Sequence, residues 1–170
     1  MTDSDVLDNA DRRNFLGKAT AGVAAAGVAA SCWPFVSSMN PSTDTMAQAT
    51  TEVDISGIAP GQEKTVAWEG KPIFIVHRTP EQIAAMKNSQ GGKDPQADAD
   101  RAKNPEWLVV LGVCTHMGCV PLRNDDGWLC PCHGSVYDNS GRILHGPAPK
   151  NLAVPPVKFV SATKIVIGEA

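Results

Sequence analysis

The sequence predicts a mainly β domain carried on one N-terminal membrane helix, and three observations point there. Residues 19–36 run 18 positions without a charge. With 15 Gly and 13 Pro but only 5% aromatics in 170 residues, the rest favours short strands joined by tight turns. Four of the five cysteines and two of the four histidines fall between Cys114 and His133, so metal-site loops interrupt the sheet late in the chain. A net charge of −3 offers no basic surface for phosphates, which argues against a nucleic-acid partner. At 42% hydrophobic and 19% charged, the chain is neither disordered nor polytopic.

Residues 1–14 form a polar tail ending in Asp11-Arg12-Arg13-Asn14, and residues 15–37 read as a transmembrane anchor helix. Eighteen apolar residues in a helix rise about 27 Å, just enough for a hydrocarbon core of roughly 30 Å. Arg12, Arg13 and Lys18 flank the anchor on one side, and no basic residue follows until Lys64. The positive-inside rule then keeps the N-terminus cytoplasmic and exports the remainder. The expected location is the bacterial inner membrane, single-pass, with the main domain periplasmic. Arg12-Arg13-Asn14-Phe15-Leu16 also matches a twin-arginine export signal, a pathway for folded cargo. An ordinary cleaved signal peptide is the alternative, and Ala30-Ser31-Cys32 hints at a lipoprotein cleavage site. The apolar run exceeds the usual h-region of about 7–15 residues, which favours a retained anchor with Cys32 inside it. Residues 38–49, small and polar with Pro41 near their start, read as a flexible hinge linker; residues 50–170 are the folded domain.

Within that domain, Glu52–Ile55, Lys64–Trp68 and Lys71–His77 are strand-like, with a Glu69-Gly70 hairpin turn between the last two. Thr79-Pro80-Glu81-Gln82 starts one short helix: Thr at the N-cap, Pro at N1 and Gln at N3 as a capping box. It covers Pro80–Lys87 and stops before Gly91-Gly92. Residues 88–105, polar and mixed in charge, read as a solvated loop. Trp107–Val113 is a continuous apolar strand running into the first cysteine cluster. Asn124–Gly127 and Asp138–Gly141 mark turns. Strands over Asn151–Val154, Lys158–Val160 and Lys164–Ile167 complete an antiparallel sandwich or barrel. His77 and His145 read as surface residues.

The first cluster is Cys114-Thr115-His116-Met117-Gly118-Cys119 and the second Cys130-Pro131-Cys132-His133-Gly134-Ser135. Each offers one Cys and one His close together. The 13 residues between His116 and Cys130 allow a strand, a turn and a returning strand. Two loops at one end of the sheet could thus converge two thiolates and two imidazoles. A structural zinc site with two Cys and two His is one reading. It leaves Cys119 and Cys132 unexplained; in an exported protein these two can pair.

These residues resemble a Rieske iron–sulfur protein, specifically the bacterial type of the cytochrome bc complex (ubiquinol–cytochrome c oxidoreductase). The likeness extends over the twin-arginine anchor, the linker and the β domain with its two boxes. It implies a Rieske-type antiparallel β sandwich with cluster-binding loops inserted within 112–150 and one [2Fe–2S] cluster. One iron would take Cys114 and Cys130, the other His116 and His133. Cys119–Cys132 would be the disulfide of the quinol-oxidising branch. The resemblance also implies quinol contact and proton acceptance at His133, a second exposed imidazole at His116, and hydrogen-bond donors at Ser135 and Tyr137. Met117 and the proline loop Gly146-Pro147-Ala148-Pro149 would shield the cluster. Its partners would be cytochrome b and a c-type haem subunit in a dimeric complex, with ubiquinol the expected quinol. Val136 departs from the family pattern, replacing a polar residue, and the turn Arg123–Gly127 is short.

Charge explains why such ligands suit quinol oxidation. Two ferric irons, two sulfides and two thiolates sum to zero, whereas four thiolates would leave a charge of −2 that resists reduction. Histidine ligation lifts potentials to about −150 to +300 mV, against roughly −400 mV for plant-type clusters. Donors to the sulfurs lift them further. Two other readings stay open from the residues. One is the small Rieske subunit of an arsenite-oxidase-type enzyme, which would not copurify with b- and c-type haems. The other is a zinc-stabilised module without redox activity, which would give no EPR signal on reduction.

Overall fold

The computed structural model describes residues 3–40 and 49–169. They form two units, divided between Thr45 and Met46. The first is a single helix, α1 (Asp3–Ser37), so helical structure continues through most of the expected polar tail. Within it, Asp11–Ser37 is a 27-residue stretch apolar and long enough to cross a membrane, about 40 Å at 1.5 Å per residue. Its large apolar side chains stand exposed, Phe15 at 70% and Trp33 at 71%, as lipid-facing residues would. Ser38 closes the last turn: its amide donates to the Pro34 carbonyl and its hydroxyl to the Phe35 carbonyl. Of the expected hinge, residues 41–48 lie outside the described residues.

Among the described residues, the second unit contains ten strands and two short helices. In order they are β1 (Thr51–Asp54), β2 (Glu63–Trp68), β3 (Lys71–His77), α2 (Pro80–Lys87), α3 (Asp98–Arg101), β4 (Trp107–Leu111), β5 (Leu122–Asn124), β6 (Gly127–Leu129), β7 (Val136–Asp138), β8 (Ile143–His145), β9 (Val157–Ser161) and β10 (Lys164–Ile167). The expected antiparallel sandwich is present as three sheets, ordered β1-β10-β9, β2-β3-β4 and β5-β6-β7-β8.

Within the middle sheet, β3 and β4 are buried on both faces, which is why they read as continuous apolar runs rather than alternating ones. Ile73, Ile75, Trp107 and Val109 face one way and pack with Val53, Val157, Ile165 and Ile167 of the first sheet. Phe74, Val76, Leu108 and Val110 face the other way and pack with Trp128, Tyr137 and Ile143 of the third. The Phe74 and Trp128 rings stack nearly parallel, 6.0 Å apart. The first cysteine cluster lies between β4 and the third sheet and the second between β6 and β7, so both stand over this packed core.

Several elements differ from expectation. Residues 88–105 are not a solvated loop: they include the one-turn helix α3, and Asp98, Arg101 and Ala102 are buried. Buried polar bonds hold this insert, because Arg78 pairs with Asp98 at 2.6 Å and Arg101 donates to the Ser140 and Leu152 carbonyls. Among the described residues, the domain thus has two short helices instead of one. The segment Asn151–Val154 is no strand; Leu152 donates to Gly141 and Ala153 accepts from Leu111, single bonds to two neighbours with no ladder. His77 is half-buried, stacked on Trp107 at 4.2 Å and bonded at Nδ1 to the Ile58 carbonyl. By contrast, α2 has the bounds the sequence set, with both halves of the Thr79–Gln82 capping box formed.

Candidate metal centre

The two cysteine clusters fold into near-duplicate loops. In the first, which follows β4, Cys114 N–H donates to the Cys119 carbonyl (2.8 Å) and Gly118 N–H to the Cys114 carbonyl (2.9 Å). In the second, which follows β6, Cys130 N–H donates to the Ser135 carbonyl (2.8 Å) and Gly134 N–H to the Cys130 carbonyl (2.9 Å). Both close through a glycine in the left-handed region, Gly118 at φ 82° and Gly134 at φ 71°, where a side chain would be strained. The repetition puts Cys114 and Cys130 at equivalent buried positions, 2% and 1% exposed.

The disulfide between Cys119 and Cys132 joins the two loops, with Cα atoms 6.6 Å apart. The Cys130 sulfur lies within 4.8 Å of both disulfide sulfurs. That trio is not itself a ligand set, because the disulfide has consumed two of its thiolates. Cys114 and Cys130 remain as free buried thiols. The two imidazoles meet edge to face at 4.7 Å, with His116 half-buried and His133 exposed.

Hydroxyl groups surround the thiols. Tyr137, fully buried, donates its hydroxyl proton to Cys114 Sγ at 3.3 Å. Its oxygen accepts from Thr115 N–H at 3.3 Å, and Thr115 Oγ1 stands 3.4 Å from it while donating to the Lys150 carbonyl at 2.6 Å. Ser135, also fully buried, accepts from Ala148 N–H at 3.1 Å, leaving its own proton free to donate. Thr115 and Ala148 thus tie the segment 146–150 to both loops. Gly146 packs so closely that a Cβ there would lie 2.5 Å from Ser135 Cα. Ala148 is fully buried, while Pro147 and Pro149 are exposed. Met117 projects outward, 72% exposed.

Burial opposes ionisation of both thiols. At Cys114 it is outweighed by the Tyr137 hydroxyl and the backbone about His116, so that thiol is held below its ordinary range. At Cys130 burial prevails and pushes the thiol up. Tyr137 is itself pushed up to about 12, by burial and then by Cys114, so it stays a protonated donor at neutral pH. Behind the site, Trp128 Nε1 donates to Glu63 at 2.9 Å and Arg123 lies over the indole at 4.4 Å, anchoring β6 just before Cys130.

The donor set fits a [2Fe–2S] cluster. His116 Nδ1 is one of two buried side-chain polar atoms left without a hydrogen-bond partner among the described residues. Such an atom costs about 1–3 kcal/mol unless something satisfies it. A metal bond from Nδ1 would do so, and the buried thiols Cys114 and Cys130 of the two loops would supply the sulfur ligands. Spacing and motif located the cysteines, the histidines, Ser135 and Tyr137. Thr115 was missed, although it lies between two candidate ligands, because its role depends on the Lys150 carbonyl 35 residues away.

Comparison with known proteins agrees with this geometry. Residues 2–42 match the family described as "Ubiquitinol-cytochrome C reductase Fe-S subunit TAT signal", and residues 48–156 match the Rieske [2Fe-2S] domain. The ubiquinol-cytochrome c reductase iron-sulfur subunit of Rickettsia conorii is 51% identical, over 97% of this chain and 99% of that protein. Its counterpart in Bradyrhizobium diazoefficiens is 53% identical, over 99% and 100%. Among solved structures, a chain of a hyperthermophilic respiratory Complex III aligns with TM-score 0.57 and 30% identity, covering 89% of this chain and 99% of that one. The chain belongs to the Rieske [2Fe–2S] family, among the iron–sulfur subunits of ubiquinol–cytochrome c reductase.

Proposed function

We propose that this electron-transfer subunit holds its cluster through Cys114 and Cys130 on one iron and His116 and His133 on the other. The observation that carries the assignment is the orphaned His116 Nδ1, buried in the loop that also carries Cys114, while the second imidazole, which it meets edge to face, stands exposed. When bound, the [2Fe–2S] cluster supplies a one-electron acceptor for quinol and a one-electron donor to a c-type haem. The residues around it do the rest. His133 presents its outer nitrogen to a quinol hydroxyl, ubiquinol by the names of the relatives, and takes the proton there. His116 is the second imidazole at the same surface. Tyr137 and Ser135 donate towards sulfur and stabilise added negative charge, which raises the potential. Met117, Gly146, Pro147, Ala148 and Pro149 exclude water from the remaining sides.

The subunit works with cytochrome b and cytochrome c1, in a complex that we infer to be dimeric. Its anchor lies in the inner membrane with the N-terminus cytoplasmic and the domain periplasmic; Arg12, Arg13 and Lys18 on one flank support that orientation. Residues 38–49 act as the hinge that lets the domain travel between quinol and haem.

Two experiments test this reading. Cys114→Ser, His116→Ala, Cys130→Ser and His133→Ala should each abolish the reduced-state EPR signal and lower bound iron. A normal spectrum in any of them removes that residue from the ligand set. Replacing Thr43–Ala47 with prolines should slow turnover while leaving the EPR spectrum and potential unchanged. Wild-type turnover in the assembled proline variant would overturn the moving-domain mechanism.

A further inference from the structure

The insert between β3 and β4 reaches the cluster end of the domain without contributing a ligand. Its segment 91–96 lies along the stretch 143–151 that includes the proline loop. Gly92 N–H donates to the Ile143 carbonyl at 3.1 Å, and Lys93 Nζ donates to the Gly146 carbonyl. Asp94 Oδ2 accepts from Asn151 N–H at 3.0 Å, and its backbone carbonyl accepts from Asn151 Nδ2 at 2.9 Å. Asn151 Oδ1 returns to Ile143 N–H at 2.9 Å. The insert therefore grips the proline loop on both flanks. Between the grips, the loop's backbone meets the hydroxyl system: Ala148 N–H donates to Ser135 Oγ, and the Lys150 carbonyl takes the Thr115 proton. The second contact leaves Thr115 Oγ1 only lone pairs for Tyr137, whose proton is directed to Cys114 Sγ.

We propose that Asp94 and Lys93 are positioning residues that set the cluster's potential through the proline loop, by fixing which way the Ser135 and Tyr137 protons point. This rests on the reading above that those two hydroxyls raise the potential. The sign of the effect separates positioning from plain electrostatics. Removing a carboxylate near a redox centre raises its potential by charge alone. Loss of the grip should instead lower it, because the donors to sulfur lose their alignment.

The test is potentiometric EPR titration of the full-length chain in its membrane complex. Asp94→Ala should lower the midpoint potential and broaden the reduced spectrum. Asp94→Asn, which keeps an oxygen acceptor for Asn151 N–H without the charge, should stay near wild type. Lys93→Ala should lower the potential in the same direction as Asp94→Ala. In a Ser135→Ala/Tyr137→Phe background, Asp94→Ala should produce no further drop. A wild-type potential in Asp94→Ala, a rise in both Asp94 variants, or an undiminished drop in the double background would each overturn the proposal. Should Asp94→Ala fail to retain its cluster, Lys93→Ala decides by comparison of backgrounds: an equal drop with and without Ser135 and Tyr137 is loss of the ammonium charge alone and overturns the proposal, whereas a larger drop with both hydroxyls intact supports it. The Ser135→Ala/Tyr137→Phe protein is also the control: if it titrates like wild type, the reading of the hydroxyls fails; if only the Asp94 and Lys93 variants do, the grip fails.

Discussion

The proton on Tyr137 has one decisive use. The ring is fully buried, its oxygen already accepts from Thr115 N–H, and its proton meets Cys114 Sγ at 3.3 Å. With a pKa pushed up to about 12 by burial and Cys114, it does not ionise in the working range. Hydrogen bonds to ionised groups contribute about 1.5–3 kcal/mol, and the bond strengthens as the sulfur gains charge on reduction. Tyr137→Phe should therefore lower the midpoint potential while keeping the EPR signal, and a potentiometric titration matching wild type would refute the bond. The four candidate ligands were legible in the sequence because they lie within two short contiguous boxes, and Tyr137 and Ser135 because they hold the positions of the family's donors. Thr115, Lys93, Asp94 and Asn151 were not. Their bonds to and from the segment 146–151 reach across 35 to 57 residues, and no local pattern encodes such contacts.

At the scale of elements, legibility followed length and capping. The helix α2 could be bounded because Thr79, Pro80 and Gln82 each supply a recognisable end contact. The strands β3 and β4 declared themselves as apolar runs because both faces are covered. The strands β5 to β8 have three residues each, too few to show alternation; β5 and β6 were anticipated only as a strand and a returning strand without bounds, and β7 and β8 were missed. Their arrangement depends on close approach between loops. Gly146 sits at φ 106° with Ser135 where a side chain would stand. Gly146→Ala should lift the proline loop from Ser135, break the bond from Ala148 N–H and expose the cluster side to water. Cluster loss during denaturant titration, followed by visible absorbance, should occur at a lower midpoint than in wild type. An unchanged midpoint would mean that the loop does not guard that side.

Over the whole domain, buried charge pairs brace the two sides of the junction between the insert and the cluster-bearing sheet, which Ser140 crosses by donating to Asp98 and Arg142 by donating to the Gln96 carbonyl. Arg78 reaches Asp98 at 2.6 Å and the Pro105 carbonyl at 2.8 Å, while Arg142 meets Asp138 at 2.7 Å. Burial by itself would raise Asp98. Hydrogen bonds from Arg78 and Ser140 and the charges of Arg78 and Arg142 outweigh it, holding the carboxyl below its ordinary value. A carboxyl depressed in the folded state stabilises fully above its unfolded pKa of about 3.9, and that stability is lost as pH falls through the lower folded value. Glu63 acts in the opposite sense, since burial raises it and protonation on acidification favours the fold. Comparing wild type with Asp98→Asn cancels that contribution. At neutral pH, breaking a buried pair costs about 3–5 kcal/mol, so Asp98→Asn should be markedly less stable. As pH falls from about 4 towards the lower folded value, the unfolded wild-type chain takes up the proton first and the folded carboxyl only later, so the gap should narrow. Denaturant midpoints of both proteins from pH 7 downwards measure it; a gap that holds constant or widens on acidification would show that Asp98 stabilises the fold by packing and not by its charge.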